Sequence, residues 1–337
     1  MIWQEPPLEV PVIDAAAPLI FIANSAAGTQ QADALRTLVE GALKASGRVG
    51  EWVFSEPGNL AVAARQAAFK AAVTHTAVVA IGGDGTVNTV AQAAHAEACV
   101  MGVIPSGTFN YFARTHGIAV DTLLATQSVL GLAAQPVQVA MVNKQVFLVN
   151  ASLGLYPTLL EDREAYKARF GRSRLVALGA ACATLLRAHR QLRLHIELGT
   201  AVHDVRTTTV FVGNNRLQLA QVGLQMGLQL GGSSSAHNSG RVAAVMLRPM
   251  GTLAMAGLML RGAMGTLGEA DSVESFEFDH MVVKPRLDLG RRKVKVAFDG
   301  EVQKMRWPIE FEVSQKPLYL LKPSVQNNPN ANERAEP

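Results

Sequence analysis

Aromatic residues make up only 6% of this 337-residue chain, charged residues 17%, and there are two cysteines. Each scarcity excludes something. Cys99 and Cys182 lie far apart and form no paired motif, so neither a disulfide framework nor a zinc site is indicated, and a reducing cytosol fits. A formal net charge of +4 is too mild to imply nucleic acid, and no nucleic-acid partner is expected, although local contact with an anionic surface is permitted. Long hydrophobic runs are missing too. The closest, residues 253–260, is bracketed by Arg248 and Arg261 and is too short to cross a bilayer. The first residues, Met1-Ile2-Trp3-Gln4-Glu5-Pro6-Pro7, place acid and proline where a signal peptide needs a basic start and an apolar core. A cytoplasmic protein is expected, at most peripheral to the inner face of the membrane. What the chain does have is aliphatic mass. Hydrophobic residues reach 49%, carried by alanine, leucine and valine, and the length suits two domains that each bury a core.

The first half alternates between short apolar runs and helical patterns. Leu19-Ile20-Phe21-Ile22, Glu51-Trp52-Val53-Phe54, and residues 78–81 and 100–104 predict strands, with helices over 32–43 and 60–73. Such alternation predicts a parallel sheet covered on both faces, with ligands beyond the carboxyl ends of its strands. The character changes after about residue 142. Strands are predicted over 145–150, 192–198, 207–212, 242–247, 275–283 and 293–298, with helical pattern confined mainly to 174–188 and 252–264. That predicts a second domain of antiparallel β structure. The expected division is an α/β domain over 18–143, completed by 315–323, a β-rich domain over 144–314, and loose termini at 1–17 and 324–337.

Three turns carry the chemistry. The first is Ala77-Val78-Val79-Ala80-Ile81-Gly82-Gly83-Asp84-Gly85-Thr86-Val87-Asn88, a buried strand that ends in glycines and opens a helix. Glycines there can take positive φ and let a bound group approach the backbone, and the helix start favours a phosphate. A carboxylate beside a phosphate needs a cation between them, so Asp84 points to a nucleotide with a divalent metal. The competing reading is an ordinary turn with Asp84 as N-cap. The second turn is Ile104-Pro105-Ser106-Gly107-Thr108-Phe109-Asn110-Tyr111, where Thr108 can donate to a phosphate or ribose oxygen and Asn110 can satisfy the loop backbone. The third is Asp299-Gly300-Glu301 after the alternating run 293–298. Asp-Gly there is a strong signal for a tight hairpin, yet the two carboxylates also suit proton acceptance and metal binding.

Together with Asn24-Ser25-Ala26-Ala27-Gly28, these turns resemble the lipid kinase family that includes bacterial diacylglycerol kinases and eukaryotic sphingosine kinases. Phe147-Leu148-Val149-Asn150-Ala151-Ser152-Leu153-Gly154 resembles the stretch that opens the family's second domain, and the resemblance runs over about residues 18–323. It implies an N-terminal nucleotide-binding α/β domain of the NAD kinase/diacylglycerol kinase-like type, a C-terminal antiparallel β-sandwich, and an active site in the cleft between them. The last strand, 317–322, would return to the first domain. ATP would be the donor, Mg²⁺ the cofactor and a lipid hydroxyl at a membrane surface the acceptor. By position, Asn24, Ser25, Ala26, Ala27, Gly28, Ser55, Gly82, Gly83, Asp84, Gly85, Thr86, Val87, Asn88 and Thr108 would contact the nucleotide. Glu301 would accept the proton, with Asp299 and Asp84 organising metal and water, which is sufficient for phosphoryl transfer.

The chain also departs from the family pattern. Ser25 replaces a proline, Tyr111 replaces an aspartate, and Ser239 stands in Asn238-Ser239-Gly240 where the family carries the aspartate of a structural magnesium site. A serine cannot supply that charge, so no structural metal is expected there. Arg163, Lys167, Arg169, Arg172 and Arg174 precede the apolar run 175–186, and Arg187, Arg190 and Arg193 follow it. This element suits docking on anionic lipid, or equally a solvated basic face over a buried stripe. His237 and His280 read as isolated surface or turn histidines. Monomer and homodimer both stay open, as does the identity of the lipid. A Rossmann-type dehydrogenase is disfavoured because no G-x-G-x-x-G loop follows a strand. An NAD kinase-like enzyme and a non-catalytic nucleotide- or lipid-binding relative remain as alternatives.

Overall fold

The computed structural model describes residues 10–24, 29–131, 133–154, 157, 191–214, 240–249, 273–286 and 293–323. These fall into two compact units, residues 1–137 with 315–337, and residues 138–314.

The first unit alternates β1 (Leu19–Asn24), α1 (Thr29–Ala45), β2 (Gly50–Ser55), α2 (Leu60–Val73), β3 (Ala77–Gly82), α3 (Asp84–Glu97) and β4 (Val100–Pro105). Two shorter helices, α4 (Tyr111–Thr115) and α5 (Thr122–Leu130), then lead to β5 (Ala134–Val137). β3 and β4 are buried along their whole length, as uninterrupted apolar runs covered on both faces should be. α2 buries Leu60, Ala64, Ala67, Ala68 and Ala71, and α3 buries Val87, Val90, Ala91, Ala93 and Ala94. Alanines on these faces let the helix axes lie close to the sheet and to each other, which explains how so few aromatics suffice.

The second unit holds β6 (Ala140–Val142), β7 (Gln145–Phe147), β8 (Asn150–Gly154), β9 (Leu192–Leu198), β10 (Ala201–Thr207), β11 (Thr209–Gly213), β12 (Val242–Leu247), β13 (Val273–Phe278), β14 (His280–Pro285), β15 (Lys293–Phe298), β16 (Glu301–Arg306) and β17 (Ile309–Val313). They form two antiparallel sheets, ordered β10-β9-β14-β17-β6-β7 and β13-β12-β11-β8-β15-β16. Val142, Leu194, Ile196, Val283 and Phe311 of the first join Leu153, Val210, Val212, Ala244 and Val296 of the second in one hydrophobic cluster. The chain then returns as β18 (Leu318–Leu321), completing the first unit's sheet in the order β2-β1-β3-β4-β18-β5, parallel to β4 and antiparallel to β5.

Three predicted strands each cross a boundary between two strands. Residues 207–212 and 275–283 divide at Thr208 and Asp279, because the chain leaves one sheet for the other there: β10 and β14 lie in the first sheet, β11 and β13 in the second. An apolar pattern does not record which sheet it serves. Residues 145–150 divide at Leu148 and Val149, whose amides turn to the Asp299 carboxylate instead of a neighbouring strand. The helices predicted over 174–188 and 252–264 lie outside the described residues. No described helix is long and apolar enough to cross a membrane.

Candidate functional site

The register of the first sheet lines up the carboxyl ends of its parallel strands. Asn24 pairs with Ser55, Ala23 with Ile81, and Gly82 with Pro105. The carboxyl ends of β1, β2, β3 and β4 therefore lie on one edge, where a parallel sheet presents its ligands.

Two of these turns are pressed together. The Ser106 amide donates to the Gly82 carbonyl at 2.9 Å. A Cβ on Gly107 would stand 2.6 Å from Cα of Gly83, and one on Gly82 would stand 2.6 Å from Cβ of Thr86. The glycines serve close approach. This corrects the expectation of positive φ: Gly83 is extended, at φ −82° and ψ −177°, and neither Gly82 nor Gly107 has positive φ. The left-handed residue in this pair of turns is Asn110, at φ 52°. Its side chain earns that conformation by closing the loop, its Oδ1 accepting from the Gly107 amide at 3.0 Å and its Nδ2 donating to the Gly107 carbonyl at 2.9 Å.

Asp84 links the two turns. Its Oδ2 accepts the Asn110 amide at 3.0 Å. Burial pushes its carboxyl above the ordinary aspartate range, against the opposing effect of amide hydrogen bonds from Asn110, Phe112 and Tyr111. The N-cap reading is thus corrected: the cap residue of α3 is Gly83, and the Asp84 carboxylate instead accepts amides at the start of the neighbouring α4.

The other expected nucleotide residues divide. Thr108 and Ser106 are exposed on this edge. Thr86 and Val87 are buried at 7% and 4% exposure, so their side chains pack inward. The Val87 amide is spent on the Gly83 carbonyl. Ser55 is also buried, its hydroxyl donating to the Glu56 carbonyl at 3.0 Å. Gly85 and Asn88 lie in α3, and Asn24 ends β1. Ser25, Ala26, Ala27 and Gly28 lie outside the described residues. Sequence reasoning gave no role to Phe109, which is 48% exposed and stacks on Tyr111 with ring centroids 5.3 Å apart.

In the second unit, Asp299 and Gly300 form a two-residue hairpin with both residues at positive φ, and Phe298 pairs with Glu301 across it. Both oxygens of Asp299 are engaged: Oδ2 accepts from the Leu148 amide at 2.7 Å, and Oδ1 from the Val149 and Asn150 amides at 2.9 and 3.1 Å. Glu301 is exposed at the start of β16. The hairpin reading is therefore visible, and the two acids differ in their surroundings, Asp299 bonded to main-chain amides and Glu301 exposed.

Beside the expected place of a structural magnesium stands a neutral side chain, Gln138. Ser239 lies outside the described residues, but Gly240 beside it donates its amide to Oε1 of Gln138 at 2.9 Å. Nε2 of Gln138 donates to the carbonyls of Asn214 and Arg241 at 2.8 and 3.0 Å. These are neutral amides, whereas a hard cation wants carboxylates. His280 is not isolated, contrary to expectation. Its Nε2 lies 2.7 Å from Glu310 Oε1, with Glu312 close by and paired to Lys144. His237 and the basic residues Arg163, Lys167, Arg169, Arg172, Arg174, Arg187 and Arg190 lie outside the described residues.

Residues 18–142 match the sequence model of the diacylglycerol kinase catalytic domain. A protein from Cronobacter sakazakii (strain ATCC BAA-894) named "Probable lipid kinase YegS-like" is 34% identical over 122 residues, which make up 34% of this chain and 40% of that protein. The chain thus spans 40% to 50% of the length of the curated relatives it matches. A solved structure of a diacylglycerol kinase from Bacillus anthracis str. Sterne aligns over 91% of this chain and 97% of its own, with TM-score 0.62 and 16% identity. At that identity the likeness shows the fold alone. The resemblance to the lipid kinase family is shown, and the family match lies over residues 18–142.

Proposed function

We propose that this chain is an ATP-dependent lipid kinase that transfers the γ-phosphate to a lipid hydroxyl of the diacylglycerol or sphingoid-base type. The observation that carries the reading is the double turn at the carboxyl edge of the parallel sheet. Gly82–Gly83 and Ser106–Gly107 are packed backbone to backbone, with Asp84 between them, inside a stretch that matches the kinase family. Phosphoryl transfer asks a protein mainly for positioning and for neutralisation of charge. The glycine turns and the start of α3 would hold the phosphates of ATP, with Thr108 donating to a phosphate or ribose oxygen. Asp84 would hold Mg²⁺, directly or through water, and Mg²⁺ would neutralise the phosphate charge. Glu301, exposed and free of the clamp that occupies Asp299, would accept the proton of the lipid hydroxyl. We read the two antiparallel sheets of the second unit as a β-sandwich that carries the acceptor side of the reaction, and the protein as cytoplasmic with peripheral contact at the membrane surface.

Purified protein incubated with γ-labelled ATP, Mg²⁺, NAD⁺ and mixed lipid extract is expected to yield an organic-soluble labelled product. Label found only in water-soluble NADP would instead mark an NAD kinase-like enzyme. No transfer to either, with ATP still bound, would mark a non-catalytic nucleotide-binding relative.

A further inference from the structure

We propose that a hydrogen-bond network centred on the neutral side chains of Asn214 and Gln138 holds the Glu301 hairpin in place without a cation, and that Asp299 is a positioning residue in it, not a magnesium ligand.

The network starts at Asp299. Its carboxylate takes the amides of three successive residues, and the Asp299 amide returns a bond of 2.9 Å to the Asn150 carbonyl. Leu148, Val149 and Asn150 are 1%, 4% and 8% exposed, so water does not replace a lost acceptor. A carboxylate drawn away toward a metal would strand those buried amides. Asn214 holds the same segment through its carbonyls. Its Nδ2 donates to Leu148 O at 3.3 Å and its backbone amide to Val149 O at 3.1 Å. Asn214 is itself only 2% exposed. Residues 148–150 are thus gripped on the amide side by Asp299 and on the carbonyl side by Asn214.

Gln138 extends the grip. Its carbonyl accepts from Asn214 Nδ2 at 3.1 Å, while its side chain donates to the Asn214 and Arg241 carbonyls and accepts from Gly240. The Asn214 and Arg241 carbonyls are thus each tied to Gln138 by an N–H group, with no carboxylate in that link. The sequence agrees: it contains no aspartate or glutamate between Asp204 and Glu269, so nothing in that stretch supplies the charge of a metal site beside Gly240. A chain of hydrogen bonds runs from the Gly240 corner through Gln138, Asn214 and residues 148–150 to Asp299, two residues from Glu301. All of it lies within the second unit.

Two measurements on the full chain test this. Amide hydrogen exchange of the nucleotide-free protein, in EDTA and in magnesium chloride, is expected to give equal protection at residues 148–150; protection that appears only with magnesium would overturn the proposal. Asn214→Ala is expected to speed exchange there at least tenfold while leaving ATP affinity unchanged, and unchanged protection would overturn it. Should that variant fail to fold, Gln138→Glu, which keeps the acceptor for Gly240 but loses the donors, is expected to loosen the same amides. The second measurement rests on the kinase reading. Asp299→Asn is expected to lower kcat with the magnesium concentration for half-maximal rate unchanged, whereas a rightward shift of that concentration would make Asp299 a ligand. If the wild-type protein transfers no phosphate to lipid, the kinase reading fails, and the exchange measurement still decides the network.

Discussion

Asp84 in the first unit and Asp299 in the second both give carboxylate oxygens to main-chain amides, but the surrounding architecture makes the bonds mean different things. Asp84 stands at the edge of a parallel sheet, where chain direction alone delivers the β3 and β4 turns side by side. Its bond to Asn110 refines a juxtaposition that already exists. Asp299 lies at the tip of an antiparallel hairpin, and its three amides belong to a segment about 150 residues earlier in the chain. There the antiparallel pairing of β15 with β8, with Phe298 opposite Ala151, brings the hairpin beside that segment, and the side chain extends the contact to its amides. Strand pairing supplies proximity in both places; at the parallel edge one side-chain bond joins two turns, and at the antiparallel corner one carboxylate holds three successive amides.

The sharpest break of this comparison is Glu301→Gln. If the hairpin carries the proton acceptor, lipid phosphorylation should fall by roughly 10² to 10⁴ in kcat, with ATP affinity and melting temperature unchanged. Unaltered turnover would remove Glu301 from the mechanism. Next comes Asp299→Ala, which leaves buried amides without an acceptor and should cost about 3 kcal/mol in urea unfolding, since each stranded buried group costs roughly 1–3 kcal/mol. A loss below about 1 kcal/mol would show that the hairpin is held by other means. In the first unit, Gly107→Ala forces a Cβ against Gly83 and should destabilise by about 1–3 kcal/mol, as overpacking does, while weakening ATP binding.

Asp84→Asn should behave in the opposite sense. Burial raises the Asp84 pKa above its ordinary value of 3.8, so the folded state holds the proton more tightly than the unfolded one. The contribution of this group to stability is complete below the ordinary value and is lost as pH rises through the raised one. Asparagine does not titrate and can still accept from Asn110. The variant should therefore gain in stability relative to wild type as pH is raised from about 4 to about 7, while losing magnesium-dependent transfer. A stability gap that shrinks over that range would reverse the sign. The smallest effect is expected at Glu40, whose exposed bond to Arg36 spans one helical turn. Its alanine variant should change unfolding free energy by no more than about 0.5 kcal/mol.

Much of the first unit was legible because its signals are local. The predicted helix over 60–73 matches α2, and the four predicted strands fall inside β1 to β4. A buried parallel strand is a continuous apolar run, and glycine turns mark its end. The second unit was less legible. Thr208 and Asp279 hide changes of sheet inside continuous apolar patterns, and β5, β6, β10, β16 and β17 gave too weak a signal to be predicted. In the site, Asp84 and Asn110 could be picked out as chemically unusual residues, but nothing local tells that one caps the other's helix. Phe109 had no signal beyond its own apolarity.

The order of motifs, the placing of glycines at strand ends, and the change from alternating helices and strands to antiparallel β were all set by the linear chain, because each depends on neighbours within about one turn or one strand. Which carboxylate holds backbone and which stays exposed was decided only in three dimensions. The reason is physical: a hydrogen bond satisfies a buried amide regardless of how far along the chain its acceptor lies, and no periodicity in the sequence records that distance.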